Sequence, residues 1–180
     1  MGYDREAGWT ASFQGVVGAT LTPLGESAEL RLDLVPEVVE FQLKGGVAAL
    51  LVGGTTSEFI TLDEAERRDL LEAFLEAVDG RVPVIAHVGD VDRRKAADLA
   101  AHAHDVGADA TTAIAPYYHP VTEATSREYF ATLASATPDL PFFVYNYPGT
   151  TGNPVPFEVF ESLLELPQSL IHISEPTRRN

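Results

Sequence analysis

Residues 47–88 read VAALLVGGTTSEFITLDEAERRDLLEAFLEAVDGRVPVIAHV, and this stretch decides the fold. Val47–Val52 is apolar at every position and of strand length, as is the bulk of Val82–Val88. Between them Leu70, Leu71, Phe74, Leu75 and Val78 recur at helical spacing and define one apolar face. The spacing predicts a helix from Thr61 to Asp79, opened by a T-x-x-E capping box of Thr61 and Glu64 and closed by Gly80. Continuous apolar strands on either side of an amphipathic helix form a βαβ unit. Such strands are parallel, buried on both faces and joined by a right-handed crossover.

The same alternation extends in both directions. Gly15–Thr22, Ala110–Ala115 and Pro141–Tyr147 are further strand-like runs. A helix is expected over Leu34–Lys44, with Leu34, Val38 and Phe41 inward, and another from Asp92 to Gly107, with Leu99, Ala103 and Val106 inward. A fourth begins near Ser126, carries Phe130 and Leu133 and stops before Pro138. The fifth opens with Pro156 in its first turn and carries Phe157, Phe160 and Leu164. About five βα units in unbroken order leave two architectures open. One is a doubly wound open sheet. The other is an incomplete (β/α)8 barrel, since a whole one takes about 250 residues. Residues 1–12 read as a lead-in and 13–167 as the partial barrel.

Composition narrows the chemistry. The chain has 180 residues, no cysteine and a formal net charge of −15. Disulfides, thiolate catalysis and cysteine-bound zinc are excluded. The acidity argues against nucleic-acid binding, because phosphates would be repelled. No apolar run is long enough for a membrane span, and Met1–Ser12 carries no apolar signal core, so a cytoplasmic enzyme is expected. Lysine occurs only as Lys44 and Lys95. An arginine-favouring genome and a salt-adapted acidic surface both account for this balance.

In parallel α/β folds ligands bind at the C-terminal ends of strands. There the sequence offers Gly53-Gly54-Thr55-Thr56-Ser57-Glu58, then His87-Val88-Gly89, Pro116-Tyr117-Tyr118-His119 and Tyr145-Asn146-Tyr147-Pro148. Two threonines behind two glycines present hydroxyls and backbone N–H groups at one spot, a means of holding a small carboxylate. Two tyrosines from different strand ends can pass a proton through a threonine hydroxyl, since a neutral phenol both donates and accepts. Each feature alone has an ordinary reading as turn chemistry or packing. Their joint occurrence at successive strand ends favours a site.

The segment G-T-T-S-E followed by L-x-x-x-E-R (Leu62 to Arg67) resembles a motif of the dihydrodipicolinate synthase and N-acetylneuraminate lyase family. Pro116-Tyr117-Tyr118 is similar to its P-Y-Y segment, and Tyr145-Asn146-x-Pro148-x-x-Thr151-Gly152 to its Y-N-x-P-x-x-T-G segment. The resemblance runs from about Phe13 to Pro167 and implies the barrel. It also implies a lyase or aldolase in which a pyruvate-type 2-oxo acid forms a Schiff base with a lysine and its enamine adds to an aldehyde or imine. By matching positions Tyr145 is the general acid/base, Thr55 and Tyr118 complete its proton relay, and Thr56 with Gly54 holds the oxo-acid carboxylate. Tyr118 would reach a neighbouring subunit's site, which implies a homo-oligomer. No metal or organic cofactor is implied. Ser57 replaces the family's glycine. Thr150 stands where lysine-pathway synthases carry an arginine and cannot act as a bidentate cation. That favours a 2-oxo sugar acid as substrate over the alternative, 4-hydroxy-tetrahydrodipicolinate synthesis.

The resemblance places the Schiff-base lysine on a sixth strand, in an I-x-G-x-K context. The chain instead reads SLIHISEPTRRN over 169–180, without lysine. Lys44 ends the first helix on the face opposite the site, and Lys95 lies in an Arg-Arg-Lys surface run. Residues 168–180 are therefore expected to be an adapter-derived tail, the alternative being a divergent natural terminus. The chain as written is expected to be inactive. A non-catalytic 2-oxo-acid-binding module stays open as another class. A doubly wound domain is disfavoured by the lack of any glycine-rich phosphate loop.

Overall fold

The computed structural model describes residues 13–164 and, for the backbone, 170–174. Two compact units are formed. Unit 1 takes the described residues up to His87 together with His102–Asp109, and unit 2 takes Val88–Ala101 and the described residues from Ala110 onward.

In unit 1, β1 (Val17–Ala19), β2 (Ala49–Val52) and β3 (Val84–His87) pair in parallel, with Val17 opposite Ala49 and Leu50 opposite Val84. Helix α1 (Val35–Lys44) connects the first two strands and α2 (Glu64–Val78) the next two. Leu50 and Ile85 from the strands pack with Val35, Val39, Leu70, Phe74 and Val78 from the helices, all essentially solvent-free. In unit 2, β4 (Ala110–Ile114), β5 (Phe142–Asn146) and β6 (Leu170–Ser174) pair in parallel, Ile114 opposite Tyr145 and Phe142 opposite Leu170. Its helices are α4 (Glu123–Ser135), the short α5 (Pro148–Thr151) and α6 (Phe157–Leu163). Phe130, Leu133, Phe142 and Leu163 form its core. Helix α3 (Arg93–Asp105) begins in unit 2 and ends in unit 1.

Strands follow chain order within each unit. Within unit 1, the N–H of Asp109, just before β4, donates to the Val84 carbonyl. Within unit 2, the N–H of Val88, just after β3, donates to the Thr112 carbonyl. Within each unit chain order runs without the reversal that defines a doubly wound sheet. The fold is an incomplete (β/α)8 barrel of parallel strands. Among the described residues no helix is long and apolar enough to cross a membrane.

Several local expectations are corrected. The capping box of α2 is Asp63 with Glu66, not Thr61 with Glu64: Glu66 N–H donates to Asp63 Oδ1 at 2.9 Å and Asp63 N–H to Glu66 Oε2 at 2.8 Å. Two overlapping x-x-E frames compete, and a carboxylate is the stronger acceptor at a helix N-terminus. Thr61 instead closes a 3-10 turn (Phe59–Thr61), its hydroxyl donating to the Glu58 carbonyl. Helix α4 starts at Glu123 rather than near Ser126, because Thr122 caps it by accepting the Thr125 N–H. Pro156 is the N-cap residue of α6, outside its first turn. Helix α1 buries Val35 and Val39 and leaves Phe41 76 % exposed; α6 buries Val159 and Leu163 and leaves Phe157 and Leu164 exposed. In both helices two apolar stripes satisfy the 3.6 period, and the β-branched valines lie on the inward one.

β6 is a sixth strand and falls within 168–180. An alternating apolar run beside a strand edge is drawn into the ladder whatever its origin, so the strand is compatible with either reading of that segment.

Candidate active site

The loop that follows β2 supplies Gly54, Thr55 and Thr56. It leaves the strand through Gly53 at φ +71°, a left-handed conformation that favours glycine. Turn bonds from the N–H groups of Ser57 to Gly54 O and Glu58 to Thr55 O curl the loop, and Glu58 itself takes φ +54°. Thr55 and Thr56 stand exposed on this curl. The curl is anchored by Ser57, which is buried. Its Oγ donates to the Thr20 carbonyl at 2.7 Å, accepts the Gly53 N–H at 3.2 Å and lies 3.3 Å from Thr20 Oγ1. Thr22 Oγ1 donates to the Ser57 carbonyl at 2.7 Å. A glycine at 57 would lack the three Oγ contacts and keep only the Thr22 bond to its carbonyl, so the Ser57 side chain ties the end of β1 to the threonine loop.

Beneath that loop lies a cluster that sequence reasoning quoted without assigning. His87, the last residue of β3, is buried, and its ring centroid is 4.5 Å from that of Phe59. Arg67 is buried as well; its Nη2 donates to the His87 carbonyl at 2.9 Å and its guanidinium carbon lies 5.2 Å from the Phe59 ring centre. Burial and then the Arg67 charge push the imidazole down to about 3, while a hydrogen bond with the Gly53 backbone pulls the other way. His87 is therefore neutral in the folded protein at ordinary pH. It braces the strand ends and carries no imidazolium charge there.

Unit 2 contributes the tyrosines. Tyr145, the fourth residue of β5, is only 5 % exposed, and its ring stacks on that of Tyr147 at 6.0 Å with 17° between planes. Tyr118 sits in the loop after β4 at φ +78°, 85 % exposed, edge-on to His119 at 4.6 Å. Thr150 is exposed on α5, the short helix that directly follows β5 and for which no helix is expected from the sequence. Thr151 Oγ1 accepts the Asn153 N–H. The buried Asn153 side chain bonds to the backbone of Pro116, His119 and Val121. Asn153 went unnoticed in the sequence; its only signal there is an Asn-Pro pair, which marks a turn. Thr55, Thr56 and Gly54 thus stand together in unit 1, and Tyr145, Tyr118 and Thr150 in unit 2, each at a C-terminal strand end of its unit.

Residues 12–177 match the dihydrodipicolinate synthetase family. The chain is 33 % identical over 154 residues to N-acetylneuraminate lyase of Citrobacter koseri, covering 86 % of this chain and 52 % of that protein. It is 39 % identical over 140 residues to 4-hydroxy-tetrahydrodipicolinate synthase of Thermotoga neapolitana, covering 78 % and 47 %. The crystal structure of the chloride-inhibited dihydrodipicolinate synthase of Acinetobacter baumannii, complexed with pyruvate, superimposes with a TM-score of 0.83 at 28 % identity, covering 89 % and 55 %. The chain spans about half the length of these relatives.

Proposed function

The chain belongs to the dihydrodipicolinate synthetase family, and from that premise we propose that it carries the carboxylate-binding and proton-relay residues of a cytoplasmic carbon–carbon lyase acting on a 2-oxo acid. The observation that carries the reading is placement: Thr55 and Thr56 directly follow β2, Tyr118 follows β4 and Tyr145 lies at the end of β5. The pyruvate complex of the Acinetobacter relative supports the substrate class.

In the proposed reaction a lysine amine attacks the 2-oxo carbon and water leaves, giving an imine. Loss of a proton from the neighbouring carbon gives an enamine, which forms a carbon–carbon bond to an aldehyde; the reverse sequence cleaves one. Tyr145 carries the proton to and from the reacting atoms, with Thr55 and Tyr118 as its relay. Thr56, backed by Gly54, holds the carboxylate. The chemistry needs an amine that neither lysine supplies: Lys44 ends α1 and Lys95 is an exposed residue in the first turn of α3. Thr150 supports a 2-oxo sugar acid as substrate, because a short neutral hydroxyl cannot grip a second carboxylate as an arginine does. The 39 % identity to the Thermotoga synthase supports the second reading, a lysine-pathway synthase. A homo-oligomer completes the proposal, with Tyr118 its exposed contribution.

Pyruvate titrated into isotope-labelled protein is expected to shift the amide signals of Thr55 and Thr56. Thr56→Val should weaken this binding about tenfold, the equivalent of one lost hydrogen bond. Borohydride added with pyruvate should leave Lys44 and Lys95 unmodified by mass spectrometry. An adduct on either lysine, or a threonine loop indifferent to pyruvate, would overturn the assignment.

A further inference from the structure

The side chain of Asn153 organises a loop that contains none of its own sequence neighbours. Its Nδ2 donates to the carbonyls of Pro116 and His119, both at 2.8 Å. Its Oδ1 accepts the Val121 N–H at 3.1 Å. Both N–H donors and one lone pair of a single carboxamide are thus directed at the segment joining β4 to α4. The residue is itself fixed, buried with its own N–H donating to Thr151 Oγ1 at 3.2 Å, and that hydroxyl lies 3.2 Å from the Tyr147 carbonyl. The chain of contacts therefore runs from the end of β5, through Thr151 and Asn153, to the loop after β4.

Tyr118 lies between the two anchored carbonyls. Its φ of +78° is one that side-chain-bearing residues avoid, and it persists only where the surroundings over-determine it. Its ring, 85 % exposed, makes an edge contact with His119, whose own carbonyl is one of the anchored pair. We infer that Asn153 is the positioning residue of Tyr118: it holds the loop in the left-handed turn that turns the phenol outward. No near relative of asparagine can replace it. Aspartate would keep the Val121 bond but set a carboxylate against two carbonyl oxygens. Alanine would remove all three bonds and leave the buried Pro116 carbonyl without this partner. Glutamine would overshoot by a methylene. The importance of Tyr118 rests on the proposed proton relay; the inference about what holds it does not.

The test uses the chain without any substrate. In the unaltered protein, amide hydrogen exchange at Val121 should be slowed by about tenfold or more relative to an open loop. With 3-fluorotyrosine incorporated and the Tyr118 signal assigned through Tyr118→Phe, Asn153→Asp should move that signal toward its unfolded position. Tyr129 should keep its signal, because its hydroxyl is held by the Asp90 backbone at 3.1 Å independently of Asn153. Change confined to Tyr118 and Val121 supports positioning. An unmoved Tyr118 signal in folded Asn153→Asp protein, or a joint shift of Tyr118 and Tyr129 in protein that is still folded, overturns it. Should that variant not fold, Val121 exchange in the unaltered chain decides: protection supports the clamp and fast exchange refutes it. Pyruvate shifts at Thr55 and Thr56 are read separately, so failure of the proposed activity leaves this result intact.

Discussion

His87 and Asp109 act at opposite ends of β3 and pull the stability of unit 1 in opposite directions as pH changes. Asp109 Oδ2 accepts the Val84 N–H at 2.8 Å, yet burial pushes its carboxyl up to about 6. Burial and Arg67 push His87 down to about 3. Between its unfolded value of 6.5 and about 3, His87 binds its proton only on unfolding, so its stabilising effect is present above 6.5 and is lost as pH falls. Between about 6 and 3.8, Asp109 binds its proton in the folded state first, so stability rises as pH falls. Each group contributes a slope of at most about 1.4 kcal/mol per pH unit. The two oppose each other from pH 6 to 4 in the parent protein. Asp109→Asn should therefore steepen the loss of stability on acidification over that range, and His87→Gln should flatten or reverse it. Denaturant midpoints at pH 6, 5 and 4 check this; variants that bend the same way would refute it. Other titrating groups are common to all three proteins and drop out of the comparison. At this scale the sequence was only partly legible. Thr55, Thr56, Tyr118 and Tyr145 stand at the strand ends where motif and spacing put them. Ser57, Arg67 and Asn153 act through backbone carbonyls far away in sequence, and nothing in a local pattern encodes such a partner.

At the scale of elements, the order of strands and helices was readable because continuous apolar runs and amphipathic runs differ in length as well as period. Phase was not. Phe41 is expected inward and faces out, while Val39 takes its place; in α6 Phe157 faces out and Val159 is buried. A helix with two apolar stripes needs the sheet beneath it to choose between them. Frame was ambiguous too at the start of α2, where Thr61-x-x-Glu64 and Asp63-x-x-Glu66 overlap. The structure makes the choice testable. Asp63→Ala removes the acceptor for Glu66 N–H and the anion at the helix N-terminus, and should cost about 1 kcal/mol. Thr61→Ala removes one exposed bond to Glu58 O and should cost less than half as much. Urea denaturation of the two variants side by side ranks them. A larger loss for Thr61→Ala would return the capping box to the other frame.

For the whole molecule the controlling quantity is charge. The 27 carboxylates against 12 lysines and arginines leave a surplus that ion pairs cannot neutralise. Among the described residues, pairs such as Arg31 with Asp33, Arg81 with Glu40 and Arg94 with Asp92 lie at the surface. Exposed pairs of this kind contribute about 0–1 kcal/mol each, and salt weakens them. Salt also weakens the mutual repulsion of the surplus carboxylates, which opposes compaction. With a net charge of −15, repulsion should be the larger effect. Raising sodium chloride from about 10 mM, where the screening length is about 30 Å, to about 0.15 M, where it is about 8 Å, should therefore raise the thermal unfolding midpoint by several degrees at pH 7.5. A midpoint that falls would mean that surface pairs outweigh the surplus. The shape of the curve also separates the two readings of the acidic composition. Simple screening is nearly complete by 0.15 M, so an arginine-favouring genome predicts a plateau there. A salt-adapted surface predicts a midpoint that goes on rising with sodium chloride into the molar range.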